Sequence, residues 1–216
     1  MNNEPNGSTA EREKIIKFAQ QKFFREGFYK STMDELAKEL QISKKTIYKY
    51  FPSKEKLVEE ISSDLTCSTD SEIAGIIEAR ENVVWKFVKI LKMYSHRLVN
   101  FSDKWRHDLQ VHSPYIFENL TKYRSEKIYS ILNKLIEQGK KEKLIKNFPN
   151  EIIIACFNST IQSVVNPEFI LINKFSMYQA FVFTFEMLLS GILTQKGLEK
   201  FNKMKEEFEI EFQQNI

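Results

Sequence analysis

Three lysines and two tyrosines fall within the seven residues from Lys44 to Tyr50, and no carboxylate lies among them. Side chains of these types hold phosphates, donate to base edges and hydrogen-bond along a nucleic-acid backbone. Their spacing predicts a short helix in which Ile47 and Phe51, four apart, face inward. Lys44, Lys45, Thr46, Tyr48 and Lys49 are then left for the outer face. The chemistry implied is binding in the major groove of double-stranded DNA. Bond-making chemistry has little support, because the chain has no glycine-rich phosphate loop, nucleophile elbow or cysteine-pair zinc signature. His107, Asp108 and His112 have a loosely helical spacing, and His96 is the remaining histidine. No further ligand pattern accompanies them and Pro114 follows closely, so these histidines are expected to be exposed or to face partners. No enzymatic activity, cofactor or metal is expected.

The flanking residues supply what such a helix needs. Thr32 and Glu35 have the spacing of a capping box, and Met33, Leu36, Ala37 and Leu40 form one apolar stripe behind it. Gln41-Ile42-Ser43 reads as the turn, with Ile42 as a buried plug and Ser43 as the cap of the next helix. Pro52 ends that helix. Ser53 caps a further one through Lys54, Glu55, Lys56 and Leu57. Upstream, Ser8 to Glu11 offers a second capping box. Ile15, Phe18, Ala19 and Phe23 then recur at helical spacing, and Gly27 is a plausible stop. Phe18 and Phe23 could stack on single strands, but their helical spacing favours core packing. Residues 1–7 read as a disordered tail with no lysine or arginine.

From Thr32 to Leu57 the pattern T-x-x-x-L-A-x-x-x-x-I-S-x-x-T-I-Y-x-Y-F-x-S-K-E-x-L resembles the DNA-binding domain of the TetR/AcrR family of bacterial transcriptional regulators. The resemblance covers Ala10 to Ile61. It implies an all-α protein, with an N-terminal three-helix helix-turn-helix domain (1–61) and a larger helical domain for ligand binding and dimerisation (62–216). It implies a homodimeric repressor. It also suggests phosphate contacts for Thr32, Tyr48 and Lys54, and an opening of the recognition helix at Ser43, Lys44, Lys45 and Thr46. Lys49 and Tyr50 fall where the family contacts bases or backbone variably. Two positions depart from the pattern. Gln41 and Lys45 stand where many members have glycine. The Gln41 change reads as mild, whereas Lys45 puts a long cation where a small residue is common.

Composition agrees with a multi-helical protein. The 216 residues include only 6 Gly and 5 Pro, few for the turns of an all-β fold. A net charge of +3 neither demands nor excludes nucleic acid, since a local cationic face matters more than the sum. No run is apolar enough to span a bilayer and no signal-peptide pattern opens the chain. The two cysteines, Cys67 and Cys156, do not suggest a disulfide framework, so reduced thiols in a cytoplasm are expected.

Beyond Ile61 helical periodicity continues without motifs. Glu59 to about Ile77 extends the fourth helix, Asn82 to Asn100 and Ile116 to Gln138 are amphipathic, and Asp103 to Val111 is a short helix or turn. Glu151 to Val164 and about Ser176 to Leu193 are more apolar, with Asn166-Pro167 in the loop between them. Helices apolar on more than one side must bury more than one side. Ile153, Phe157, Ile161, Phe181, Phe185 and Leu188 are therefore candidate dimer contacts, and the family resemblance points the same way. The tail from Gly197, with Phe201, Met204, Phe208 and Phe212 on one stripe, reads as an extra docked helix. Trp85, Tyr94, Phe101, Trp105, Phe117 and Tyr123 are candidates to line a pocket for a small lipophilic effector. Two function classes follow. One is a ligand-released regulator on a palindromic operator. The other is a DNA-binding helical protein whose second domain recruits a protein partner.

Overall fold

The computed structural model describes the backbone of residues 6–100 and 103–213, and the side chains within these apart from 6–8, 96–100, 103, 167 and 206–213. The fold is all-α. Among the described residues eleven helices follow one another: α1 (Asn6–Glu26), α2 (Met33–Glu39), α3 (Lys44–Tyr50), α4 (Lys54–Glu78), α5 (Val83–Asn100), α6 (Asp103–His112), α7 (Pro114–Lys141), α8 (Asn150–Val164), α9 (Pro167–Asn173), α10 (Met177–Ile192) and α11 (Gln195–Gln213). Among the described residues the only extended pairing is a single bridge between Ile145 and Leu193. No helix among them is long and apolar enough to cross a membrane.

The chain forms two compact units. The first takes in residues 1–70 and 100–122, and the second 71–99 and 123–216. The first unit is therefore larger than the domain ending at residue 61 that the sequence suggests. The reason is packing, because Trp105 and Leu109 of α6 are buried in the same core as Ile15, Ala19 and Phe23 of α1. Trp105 meets the rings of Phe23, Phe24 and Phe28 at 6.3, 5.0 and 5.3 Å between centroids. Leu36, Ile47, Phe51, Leu57, Val58 and Ile61 complete this core.

Local chemistry sets the helix ends. α1 begins at Asn6, so Ser8 lies inside the helix and is not its cap, and Asn6 and Gly7 are helical. Residues 1–5 of the expected tail lie outside the described residues. At the other end Gly27 takes φ +82°, and its N–H bonds to the Phe23 carbonyl at 2.9 Å. The Thr32–Glu35 capping box forms as read. α2 then closes on two bonds, from Ile42 N–H to the Ala37 carbonyl (3.0 Å) and from Gln41 N–H to the Lys38 carbonyl (3.1 Å). This is the paired arrangement that normally places glycine at the left-handed position. Here that position is Gln41, with φ +56°. The departure from glycine is thus a backbone strain and not a mild change. Ile42 packs on the core but is only half-buried.

In the second unit, α5, α7, α8, α10 and α11 share one core that includes Val83, Phe87, Leu135, Ile136, Phe157, Phe185, Leu189 and Phe201. Phe87, Phe157, Phe181 and Phe185 form its aromatic centre, with neighbouring centroids 5.7–6.4 Å apart. α7 passes through Gly139, where a Cβ would collide with Ile145. The helix closes a few residues later, with Lys143 at φ +60° and Leu144 N–H bonded to the Gly139 carbonyl at 2.9 Å. Lys86 is buried and satisfied, donating to the Ile77 carbonyl (2.5 Å) and to Gln138 Oε1 (2.9 Å). α9 occupies the expected loop. Its start carries a helix signal, since Asn166 accepts the Phe169 N–H at 3.0 Å and Pro167 takes the first turn. The C-terminal helix docks through buried Phe201 and half-buried Met204; the side chains of Phe208 and Phe212 lie outside the described residues.

Candidate nucleic-acid interface

α2, the turn and α3 build one surface of the first unit. Ile47 is fully buried and anchors α3 against the core. Ser43 caps the helix by accepting the Thr46 N–H at 3.0 Å, and the two hydroxyls lie 2.8 Å apart. Lys45, Tyr48 and Lys49 are exposed, and Tyr48 keeps 45% of its surface in solvent. Thr32 is committed to its capping box: its N–H donates to Glu35 Oε2 at 2.9 Å and its hydroxyl accepts the Glu35 N–H at 3.2 Å. These bonds hold the Glu35 carboxyl below its ordinary range.

The cations on this surface are not equivalent. Lys44 is paired with Asp34 of α2, whose hydrogen bond and charge raise the lysine pKa. Lys49 lies over the Tyr50 ring, 5.4 Å from its centroid. Among the described residues Lys45 pairs with no carboxylate. Two residues expected to face a duplex are engaged internally. Tyr50 is half-buried and donates its hydroxyl hydrogen to Glu11 Oε2 of α1 at 2.9 Å. Lys54 donates to the carbonyls of Phe28 (3.1 Å), Tyr29 (2.9 Å) and Ser31 (3.0 Å). Asp34 and Glu11 were invisible as partners in the sequence, because they belong to other helices.

Residues 15–61 match the family model of bacterial regulatory proteins of the tetR family. Over these residues the chain is similar to the DNA-binding part of tetR-family regulators. The chain is also similar to the HTH-type transcriptional regulator YvaF of Bacillus subtilis, which is 22% identical over 169 residues, covering 74% of this chain and 85% of that protein. Among solved structures, a TetR-family transcriptional regulator from Agrobacterium tumefaciens superposes with a TM-score of 0.67 at 13% identity, covering 87% of this chain and all of that one. A transcriptional regulator from Cytophaga hutchinsonii gives 0.65 at 22% identity, covering 84% and 98%. These likenesses extend the same all-α fold over the second unit as well.

The other residue sets named from the sequence fall differently. The six aromatics do not form one set. Trp105 is buried in the first unit's core and Phe117 packs on it, because α6 and the start of α7 belong to that unit. Trp85 is half-buried with Lys89 5.5 Å over its ring, Tyr94 packs on Phe181 at 6.2 Å, and Tyr123 is exposed. Phe101 lies outside the described residues, as does the side chain of His96. His107 is exposed, and His112 stacks on Tyr29. No group of three potential metal ligands occurs among the described residues.

Of the six candidate dimer contacts, four are withdrawn into the chain's own core and two stay half-buried. Ile153, Phe157, Phe181 and Phe185 are buried within this one chain, and Ile161 and Leu188 pack on the same core. The surplus apolar residues sit one step round each helix. Ile152 on α8 is 58% exposed, and Phe183 and Met187 on α10 are 59% and 62% exposed. Ala155, Cys156, Ser159, Ser190 and Gly191 accompany them on those exposed faces.

Proposed function

We propose that this regulator is a dimeric repressor that grips a palindromic operator with α3 of each protomer lying in a major groove. One observation carries the reading: α3 is pinned by a fully buried Ile47 while Lys45, Tyr48 and Lys49 stand outward on its exposed side. Lys45 and Lys49 are the candidates for base edges, and Tyr48, Thr46 and Ser43 for the backbone. Lys44 contributes charge only after releasing Asp34. The outer faces of α8 and α10 are the dimer surface in this reading, since they leave large apolar side chains in solvent that a second copy would cover. The protein works in the cytoplasm, where the DNA is. Release by a small lipophilic effector is proposed on the family relationship alone, because the aromatics expected to line its pocket are divided between two units.

Selection of duplexes from a random library tests the proposal. Recovery of a palindromic sequence is expected, with affinity for it falling at least tenfold in Lys45→Ala or Lys49→Ala. A folded protein that ignores every duplex at low ionic strength would refute it. Ligand panels read by displacement from that duplex test the effector part separately.

A further inference from the structure

Phe28 to Ser31, the middle four of the six residues between α1 and α2, have no helix of their own to satisfy their backbone. Such groups need partners when they leave water. Ser31 N–H turns back onto the Phe28 carbonyl at 3.2 Å, and the other partners are two opposite charges. Asp108 of α6 uses one oxygen, Oδ2, to accept the N–H of Phe28 at 2.7 Å and of Tyr29 at 2.8 Å. Lys54, at the start of α4, donates to the carbonyls of Phe28, Tyr29 and Ser31 at 2.9–3.1 Å. An ammonium has three N–H groups, so its donors are fully engaged. Two further contacts fit the same arrangement. The Tyr29 ring stacks on His112, one helical turn beyond Asp108, with 3.6 Å between centroids and 9° between planes. Gly27 is the residue that lets the chain approach, since a Cβ there would stand 2.5 Å from Asp108 Oδ2.

We propose that Lys54 and Asp108 are positioning residues of the DNA reader, clamping segment 28–31 between a cation and an anion and so fixing where α2 and its capping residue Thr32 begin. The inference rests on the DNA-binding reading above, and departs from the phosphate role that the family resemblance suggests for Lys54. Peptide groups held between opposite charges are polarised and their hydrogen bonds strengthened. The segment leads directly into the helix against which α3 packs. A shift there would misplace α3 without unfolding either helix. Lys54 then adds nothing to the count of neutralised phosphates.

The salt dependence of binding separates the two roles. The probe is the duplex selected by the wild-type protein, titrated from about 50 to 200 mM salt. Lys54→Met keeps the aliphatic stem. It is expected to weaken binding about tenfold at every salt concentration, with the slope of log K against log salt unchanged. Asp108→Ala should do the same and should speed amide exchange at Phe28 and Tyr29 in the absence of DNA. Asp108→Asn restores an acceptor oxygen and should recover part of both. A slope reduced by about one unit in Lys54→Met would make Lys54 a phosphate contact and overturn the proposal. Wild-type affinity and exchange in Asp108→Ala would overturn it equally, and exchange needs no DNA to be read. If the wild-type protein selects no duplex, the DNA-binding reading falls and takes this inference with it.

Discussion

Tyr48 and Tyr50 sit two positions apart on a seven-residue helix and have opposite work. Tyr48 faces solvent, whereas Tyr50 reaches back to Glu11 and packs on the core. Tyr48→Phe is therefore expected to weaken DNA binding on all sequences alike while the melting curve stays where it was. Tyr50→Phe should cost about 1 kcal/mol of stability through the lost hydrogen bond and leave affinity per folded molecule nearly unchanged. Thermal denaturation and binding titrations on both variants check the pair, and equal effects on affinity would mean that both hydroxyls meet the duplex. Gln41 gives a second test. A non-glycine residue held in the left-handed region costs roughly 1–2 kcal/mol, of which glycine recovers part after its larger unfolded-state entropy is subtracted. Gln41→Gly should raise stability by about 0.5–1 kcal/mol in chemical denaturation, and a loss of stability would show that the glutamine side chain holds the turn. The types and spacing on α3 were legible because they are local. Which cation is paired was not, since Lys44 finds Asp34, and Lys54 its carbonyls, across helices that meet only in the folded chain.

The helices themselves were readable where caps and periodicity agree. Thr32–Glu35 and Ser176–Gln179 both close as capping boxes. α9 was missed although Asn166, Pro167 and Glu168 spell out its start, because seven residues are too few to show a period. The misreading of α8 and α10 has a different cause. Counting apolar residues shows that two faces exist, but it does not say which one meets the chain's own core. Packing decides that Phe157 and Phe185 look inward, at 5.9 Å from each other, and that Phe183 and Met187 look out. The two faces predict opposite phenotypes. Phe157→Ala should cost about 3–5 kcal/mol, the usual penalty for emptying a buried aromatic site. Phe183→Glu should leave the fold of each chain intact and shift sedimentation from dimer to monomer. A Phe183→Glu protein that remains dimeric would move the interface elsewhere.

At the scale of the molecule, the proposed recognition of an operator by a dimer is a statement about geometry. Two α3 helices related by a two-fold axis meet half-sites about 34–36 Å apart, one turn of the duplex, or at a related spacing. Insertion of five base pairs between the half-sites rotates one of them by about half a turn. One protomer then reads its sequence and the other faces the wrong side of the duplex. Affinity for the inserted site should fall about a thousandfold, toward the lower end of the gap between specific and non-specific binding. The Phe183→Glu variant turns this into a test of cause. If α8 and α10 hold the two reading heads in register, the monomeric variant binds both the original and the inserted duplex weakly, and the insertion makes no further difference to it. If the variant still distinguishes the two spacings, some other surface sets the distance between the heads. If the wild-type protein tolerates the insertion, each protomer reads DNA by itself, and the palindrome is not what this regulator recognises.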